Sequence, residues 1–189
     1  MPPQNNALKI NEGLRKELAG MANVTAEPLF TRVEYGTSGN KASTDFFPGG
    51  SDKTQTNIVK ARELPKGHLA VVEEIRVSLA PDVVVADIQV IEKEAVLAFA
   101  PNEDSRLRYF PVEILGAGGG PSTATTTVGT HGVPQHNAVF KLRKPEVIRG
   151  GEPFVCKILH PAAIAPSAAT KVTIIFAGIY AYPTAAAAS

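Results

Sequence analysis

Glycine and proline punctuate this chain more than any other feature constrains it. Sixteen glycines and fifteen prolines stand among 189 residues, below the roughly 25–30% that marks low-complexity disorder. They fall between short apolar runs instead of forming one tract. Such punctuation permits short strands joined by turns and opposes long helices, because proline removes an amide donor and glycine carries a high entropic cost inside a helix. An all-β domain is the expectation. Apolar residues make up 44%, enough for one ordinary core at this length and too little chain for two.

The longest alternating run covers 69–79. Leu69, Val71, Ile75, Val77 and Leu79 share one parity, interrupted by Glu73, while Ala70, Val72, Glu74, Arg76 and Ser78 share the other. This predicts a strand with the first set in the core, ended by Pro81 and spanning roughly 36 Å at about 3.3 Å per residue. Leu29 to Tyr35 alternates likewise, and further strands are expected at Ser43 to Phe47, Val96 to Ala100, Arg106 to Leu115, Ala138 to Leu142, Pro153 to Leu159 and Lys171 to Tyr182. Apolar parity shifts across Pro111, which predicts a bulge or bend at a sheet edge. In the last segment Val172, Ile174 and Phe176 face one way and Ile175, Ala177 and Ile179 the other. A strand apolar on both sides belongs at the centre of a sheet or beneath a partner.

Helix is expected in two places. Ile10, Leu14, Leu18 and Met21 fall on one face of a segment from Leu8 to Met21, either docked on the core or gripping a neighbouring subunit. Asp87 is placed to cap a brief helix from Ile88 to Ala95, although Val83-Val84-Val85 and Val90-Ile91 have equally good strand chemistry. Gly116 to Gln135, a glycine run followed by threonines, reads as a long exposed loop. About eight strands with long connections describe a single antiparallel β-sandwich or jelly roll with a short N-terminal helix. The expected division is an arm with an amphipathic helix over 1–28, the jelly-roll domain over 29–183 and a flexible tail over 184–189.

Chemistry is hard to find in these residues. His131 and His136 have a spacing compatible with zinc, but the stretch between Gly116 and Asn137 holds no cysteine or carboxylate to complete a site. His68 follows a turn and His160 ends a strand, where solvated imidazoles are expected. The run Gly116-Ala117-Gly118-Gly119-Gly120 leads into Pro121 and lacks the lysine and helix of a phosphate loop. Cys156 alternates with Phe154 and Ile158 as a small core residue. Glu73 and Glu74 are adjacent in a strand and so do not face one another; Glu73 is expected to meet Arg76 or Arg108 near a sheet edge, or an intersubunit contact. Asp52, Glu103 and Asp104 lie in turns, where carboxylates cap backbone amides. The chain lacks tryptophan and is 6% aromatic, a poor stacking platform for sugars or single-stranded nucleic acid. No catalytic residue, cofactor site or metal ligand is expected, and the chain reads as no enzyme.

Composition sets further limits. Nineteen basic and eighteen acidic residues leave a net charge of +1, without the positive field of a polyanion binder. Within 1–28, Lys9, Arg15 and Lys16 balance Glu12, Glu17 and Glu27, so the arm suits protein or a lipid surface better than nucleic acid. One cysteine excludes an internal disulfide. The polar start and the lack of a long apolar run predict neither signal peptide nor membrane span, and a protein made in a reducing cytosol.

Two groups of strings carry a resemblance. Thr54-Gln55-Thr56-Asn57-Ile58, Glu63-Leu64-Pro65-Lys66-Gly67-His68-Leu69-Ala70-Val71 and Ile75-Arg76-Val77-Ser78-Leu79 form the first. Leu142-Arg143-Lys144-Pro145-Glu146-Val147-Ile148, Gly150-Gly151-Glu152-Pro153-Phe154-Val155 and Val172-Thr173-Ile174-Ile175-Phe176-Ala177-Gly178 form the second. Together they resemble passages of single jelly-roll capsid proteins from tailless icosahedral bacteriophages, especially those with an internal membrane, over roughly residues 29 to 183. The resemblance implies a structural protein of the virion, assembled with itself and other capsid proteins, with the internal membrane as a further partner for the N-terminal helix. The alternative is a lectin-like or receptor-binding module that uses the 116–137 loop. A cupin-like enzyme would need a histidine and carboxylate cluster that these residues lack.

Overall fold

The computed structural model describes residues 12–80, 83–116 and 140–183. His131, His136 and almost all of the 116–137 segment lie outside the described residues, as do Ile10 and the 184–189 tail. In chain order, helix α1 (Glu12–Ala19) leads to strands β1 (Asn23–Thr25), β2 (Leu29–Tyr35), β3 (Ser43–Asp45) and β4 (Leu69–Leu79). Helix α2 (Val85–Glu92) follows, then β5 (Val96–Ala100), β6 (Arg108–Pro111), a 3-10 turn (Val112–Leu115), β7 (Phe140–Arg149), β8 (Val155–Leu159) and β9 (Thr170–Tyr182).

The strands form two antiparallel sheets. In one, β9 pairs β1 and β2 on one side and β4 on the other, and β4 pairs β7; in the other the order is β3-β8-β5-β6. Setting β1 aside, the orders 2-9-4-7 and 3-8-5-6 are those of a jelly roll, in which the outer strands of the chain pair first and the inner ones nest within them. β9 lies centrally, as its two apolar faces require. The β5–β6 hairpin turns at residues 101–105, and β6 ends at Pro111, where the backbone leaves the sheet edge for the 3-10 turn.

A bulge in β4 changes the expected core. Val72 lies opposite Gly178 and Glu74 opposite Ala177, so Glu73 is an extra residue with no counterpart on β9. One extra residue reverses the side taken by everything beyond it. Ala70 and Val72 therefore join Ile75, Val77 and Leu79 in the main core. Leu69 and Val71, expected in that core, are buried on the opposite face of the sheet with Leu14. The backbones meet so closely here that a Cβ on Gly178, whose φ is +153°, would overlap the Val71 carbonyl oxygen.

The remaining expected core residues, Phe154, Ile158, Val172, Ile174 and Phe176, lie between the sheets. Phe176 touches Phe47, Phe99 and Phe154 at ring separations of 5.1, 5.0 and 6.2 Å. These rings fill the interior. α1 closes the other side of the sheet, setting Leu14, Leu18 and Met21 against Leu69, Val71, Val147 and Ile179, with Arg149 donating to both Glu17 carboxylate oxygens at 3.3 and 3.0 Å.

Several expectations need correction. The 1–28 arm holds a strand as well as a helix, because Asn23–Thr25 pairs with the end of β9. α2 begins at Val85, and Asp87 lies in its first turn without capping it. The carboxylate instead accepts from the Ser167 amide and hydroxyl, both at 2.8 Å, tying the helix to the loop before β9. β7 extends to Arg149 through Pro145. It tolerates the proline because residues 142–145 leave the β4 register: Val72 pairs with Glu146 and Glu74 with Lys141.

Phe176→Ala should lower unfolding stability by about 3–5 kcal/mol, since it empties the centre of the aromatic cluster. Gly178→Ala should cost more than about 1 kcal/mol through backbone clash alone. Both are read from urea midpoints at unchanged slope, and a Gly178→Ala midpoint equal to wild type would contradict the close packing described.

Candidate functional site

The residues singled out for chemistry are dispersed through the structure. His68 shares a 2.6 Å hydrogen bond between Nδ1 and the Tyr180 hydroxyl and stacks on Tyr182 at 5.8 Å and 22°. Burial lowers its pKa, and burial with the nearby Glu27 and Tyr182 pushes the Tyr180 hydroxyl up to about 12. His160 packs edge-on against Tyr35 at 6.0 Å, and neither ring nitrogen has a hydrogen-bond partner among the described residues. Burial lowers its pKa too. Neither imidazole is the solvated side chain expected, because β9 brings tyrosines over His68 and β2 brings Tyr35 to His160. Cys156 is fully buried and its thiol is pushed well up by burial, as suits a core residue. Asp52 caps a turn, accepting from the Thr54 amide at 2.8 Å and hydroxyl at 2.7 Å. Among the described residues no three histidine, cysteine, aspartate or glutamate side chains are grouped to hold a metal, and no helix is long and apolar enough to cross a membrane.

The acidic pair of β4 departs from expectation. Glu74, the residue after the bulge, pairs with Arg76 at 2.5 Å and Lys141 at 3.4 Å. Burial opposes its ionised form, yet these two cations hold its pKa below the usual value. Glu73 is raised by burial and by the Glu74 carboxylate. Arg108, offered as a partner for Glu73, instead pairs with Glu146. That contact crosses from the edge of one sheet to the edge of the other, and the side chain of Glu146 is only 9% exposed.

This crossing marks the most developed surface feature. β6 and β7 are the outer strands of their sheets and lie side by side, bridged by the Arg108–Glu146 pair and by Phe110 against Phe140 at 5.6 Å. Between them opens a cleft of about 500 Å³ with Phe110 and Phe140 among its walls and Tyr109, Lys141, Arg143 and Lys144 around them. A second groove of about 570 Å³ lies beyond Lys144, walled by α1, the 101–105 turn and the far half of β7. The aromatic and basic side chains suit contact with a surface of opposite charge. Alternation marked β6 and only the start of β7, as far as Leu142, and could not bring the two edges together, since nothing local in either strand records its neighbour across the sandwich.

Arg108→Ala should destabilise the fold by about 1–3 kcal/mol by leaving the Glu146 carboxylate buried and unpaired. Arg108→Ala with Glu146→Leu should recover most of that loss, measured by chemical denaturation, whereas equal losses would deny the pair its bridging role. His160 gives a pH dependence of definite sign. Its folded pKa lies below 6.5, so the unfolded chain takes up the proton first and stability falls as pH drops below that value. His160→Phe should flatten this fall between about pH 7 and 5, with the wild-type minus variant difference isolating the imidazole. In comparison with known proteins, the chain matches no family model, no curated protein and no solved structure.

Proposed function

We propose that the chain is a structural subunit of an icosahedral viral shell, a capsid protein that acts by self-association through its β-barrel and terminal arm. The observation that carries this reading is a jelly-roll sandwich whose interior is occupied by its own phenylalanines. A jelly-roll enzyme of the cupin kind needs a ligand-holding interior, whereas a filled roll presents its chemistry outward, as a building block does. The strings that resemble bacteriophage capsid proteins fall on parts that interlock. Gly150 and Gly151 donate to the His68 and Leu64 carbonyls at 2.8 and 3.0 Å, packing the turn after β7 on the turn before β4. Such rigid turns hold the ends of a subunit in a fixed shape, which a regular lattice requires. The partners in this reading are further copies of the chain and other capsid proteins in the virion. The described part of the arm, with Leu14, Leu18 and Met21 already covered by its own sheet, favours a protein neighbour over lipid.

Light scattering and negative-stain electron microscopy of the purified full-length chain test the proposal. Large regular species are expected, growing with concentration. A chain that stays monomeric to about 100 µM, and binds an immobilised glycan through the 116–137 segment instead, would replace assembly with the binding-module reading.

A further inference from the structure

The flank formed by β6 and β7 carries two charge features that the fold leaves unused. Arg143 and Lys144 stand on the stretch of β7 that leaves the β4 register, and both are exposed. Their neighbours Arg108 and Lys141 are engaged with Glu146 and Glu74, while no described carboxylate pairs with Arg143 or Lys144. Glu103 and Asp104 stand exposed at the tip of the β5–β6 turn, also without an ion pair among the described residues. The two features belong to one flank: Pro101, Asn102 and Ser105 of that turn line the same groove as Lys144. Beside them Tyr109 is 59% exposed, one of the few large apolar side chains at the surface among the described residues.

We infer that this flank is a two-fold contact between copies of the chain, with Glu103 and Asp104 of each copy meeting Arg143 and Lys144 of the other around Tyr109. The inference rests on the assembly reading and specifies one of its contacts. Complementary patches side by side on a single face are brought together twice by a half-turn about an axis between them, so the surface is complementary to itself. An aromatic residue that is exposed in the single chain supplies the apolar centre, and the charges around it fix orientation. The edge strands exclude the simpler alternative of strand addition. β6 is four residues long, and β7 is interrupted at 142–145 by an excursion that includes Pro145, so neither offers a continuous row of free amides. Nucleic acid fits the flank less well, because the two free carboxylates beside the cations repel a polyanion.

The test uses the full-length chain in sedimentation velocity at about 50 and about 500 mM salt. Arg143→Glu with Lys144→Glu, and separately Glu103→Lys with Asp104→Lys, should each weaken self-association by roughly tenfold or more at low salt. Circular dichroism should remain that of wild type, as all four side chains are exposed. Mixing the two variants should restore association, because each then presents to the other the charges it has lost, and uniting all four substitutions in one chain should restore it as well. Association in wild type that neither reversal alters would overturn this contact while leaving the shell function standing. A wild-type chain that never associates would remove both. Micromolar binding of a labelled oligonucleotide, abolished by Arg143→Glu with Lys144→Glu, would assign the flank to nucleic acid instead.

Discussion

A single unmatched residue governs how this molecule divides its apolar side chains between two cores. Glu73 has no partner on β9, and the reversal it introduces sends Ala70 and Val72 inward with Ile75, Val77 and Leu79 while turning Leu69 and Val71 outward. Were β4 regular, one of those sets would face the wrong way. The outward pair would stand in water if nothing covered it, and α1 covers it. The bulge, the bare backbone at Gly178 and the docked helix are thus one arrangement: the first creates an apolar patch on the outer face, the second gives the bulged backbone room, and the third removes the patch from solvent.

The same sheet forms one wall of the aromatic interior. Phe47, Phe99, Phe154 and Phe176 pack between the layers with edge and tilted ring contacts, the geometry that aromatic pairs favour. Along one side the sheets are fastened by a charge pair as well as by the Phe110–Phe140 ring contact. Arg108 reaches from β6 to the mostly buried Glu146 of β7, a contact stronger as a constraint on spacing than as a source of stability, since desolvating the carboxylate offsets much of the attraction. The cleft next to that fastening exists because the two edge strands are held beside one another without merging into a continuous barrel.

Most of the sheet was legible in the sequence because period-two alternation is a local property. Leu29 to Tyr35, Leu69 to Leu79, Val96 to Ala100 and the final strand occupy nearly the residues that alternation marks. The misreadings share a cause: each depended on a contact made at a distance. Glu73 looked like a blemish in a regular pattern, whereas its meaning lay in the pairing with β9. Asn23–Thr25 is too short to alternate and is a strand only because the end of β9 is there to pair with it. The strand expected to end at Leu142 continues past Pro145, because the backbone leaves the ladder around the proline and returns by Glu146. The candidate surface was less legible still, as Tyr109, Arg143 and Lys144 have unremarkable neighbours in the chain and acquire a shared location only through the fold.

The bulge also sets how this segment tolerates change. Substitutions along β4 leave its pairing with β9 in place, so their effects are graded and largely confined to the face on which the side chain sits. A change in length is of another kind. Losing one residue between Val72 and Ile75 would only remove the bulge and leave both residues on the inner face, whereas losing one elsewhere along the strand would exchange the inner and outer faces of everything beyond it, stranding either the aromatic interior or the seat of α1. Away from the bulge, insertions and deletions in β4 are therefore errors of parity, and the length of this strand carries as much information as its composition.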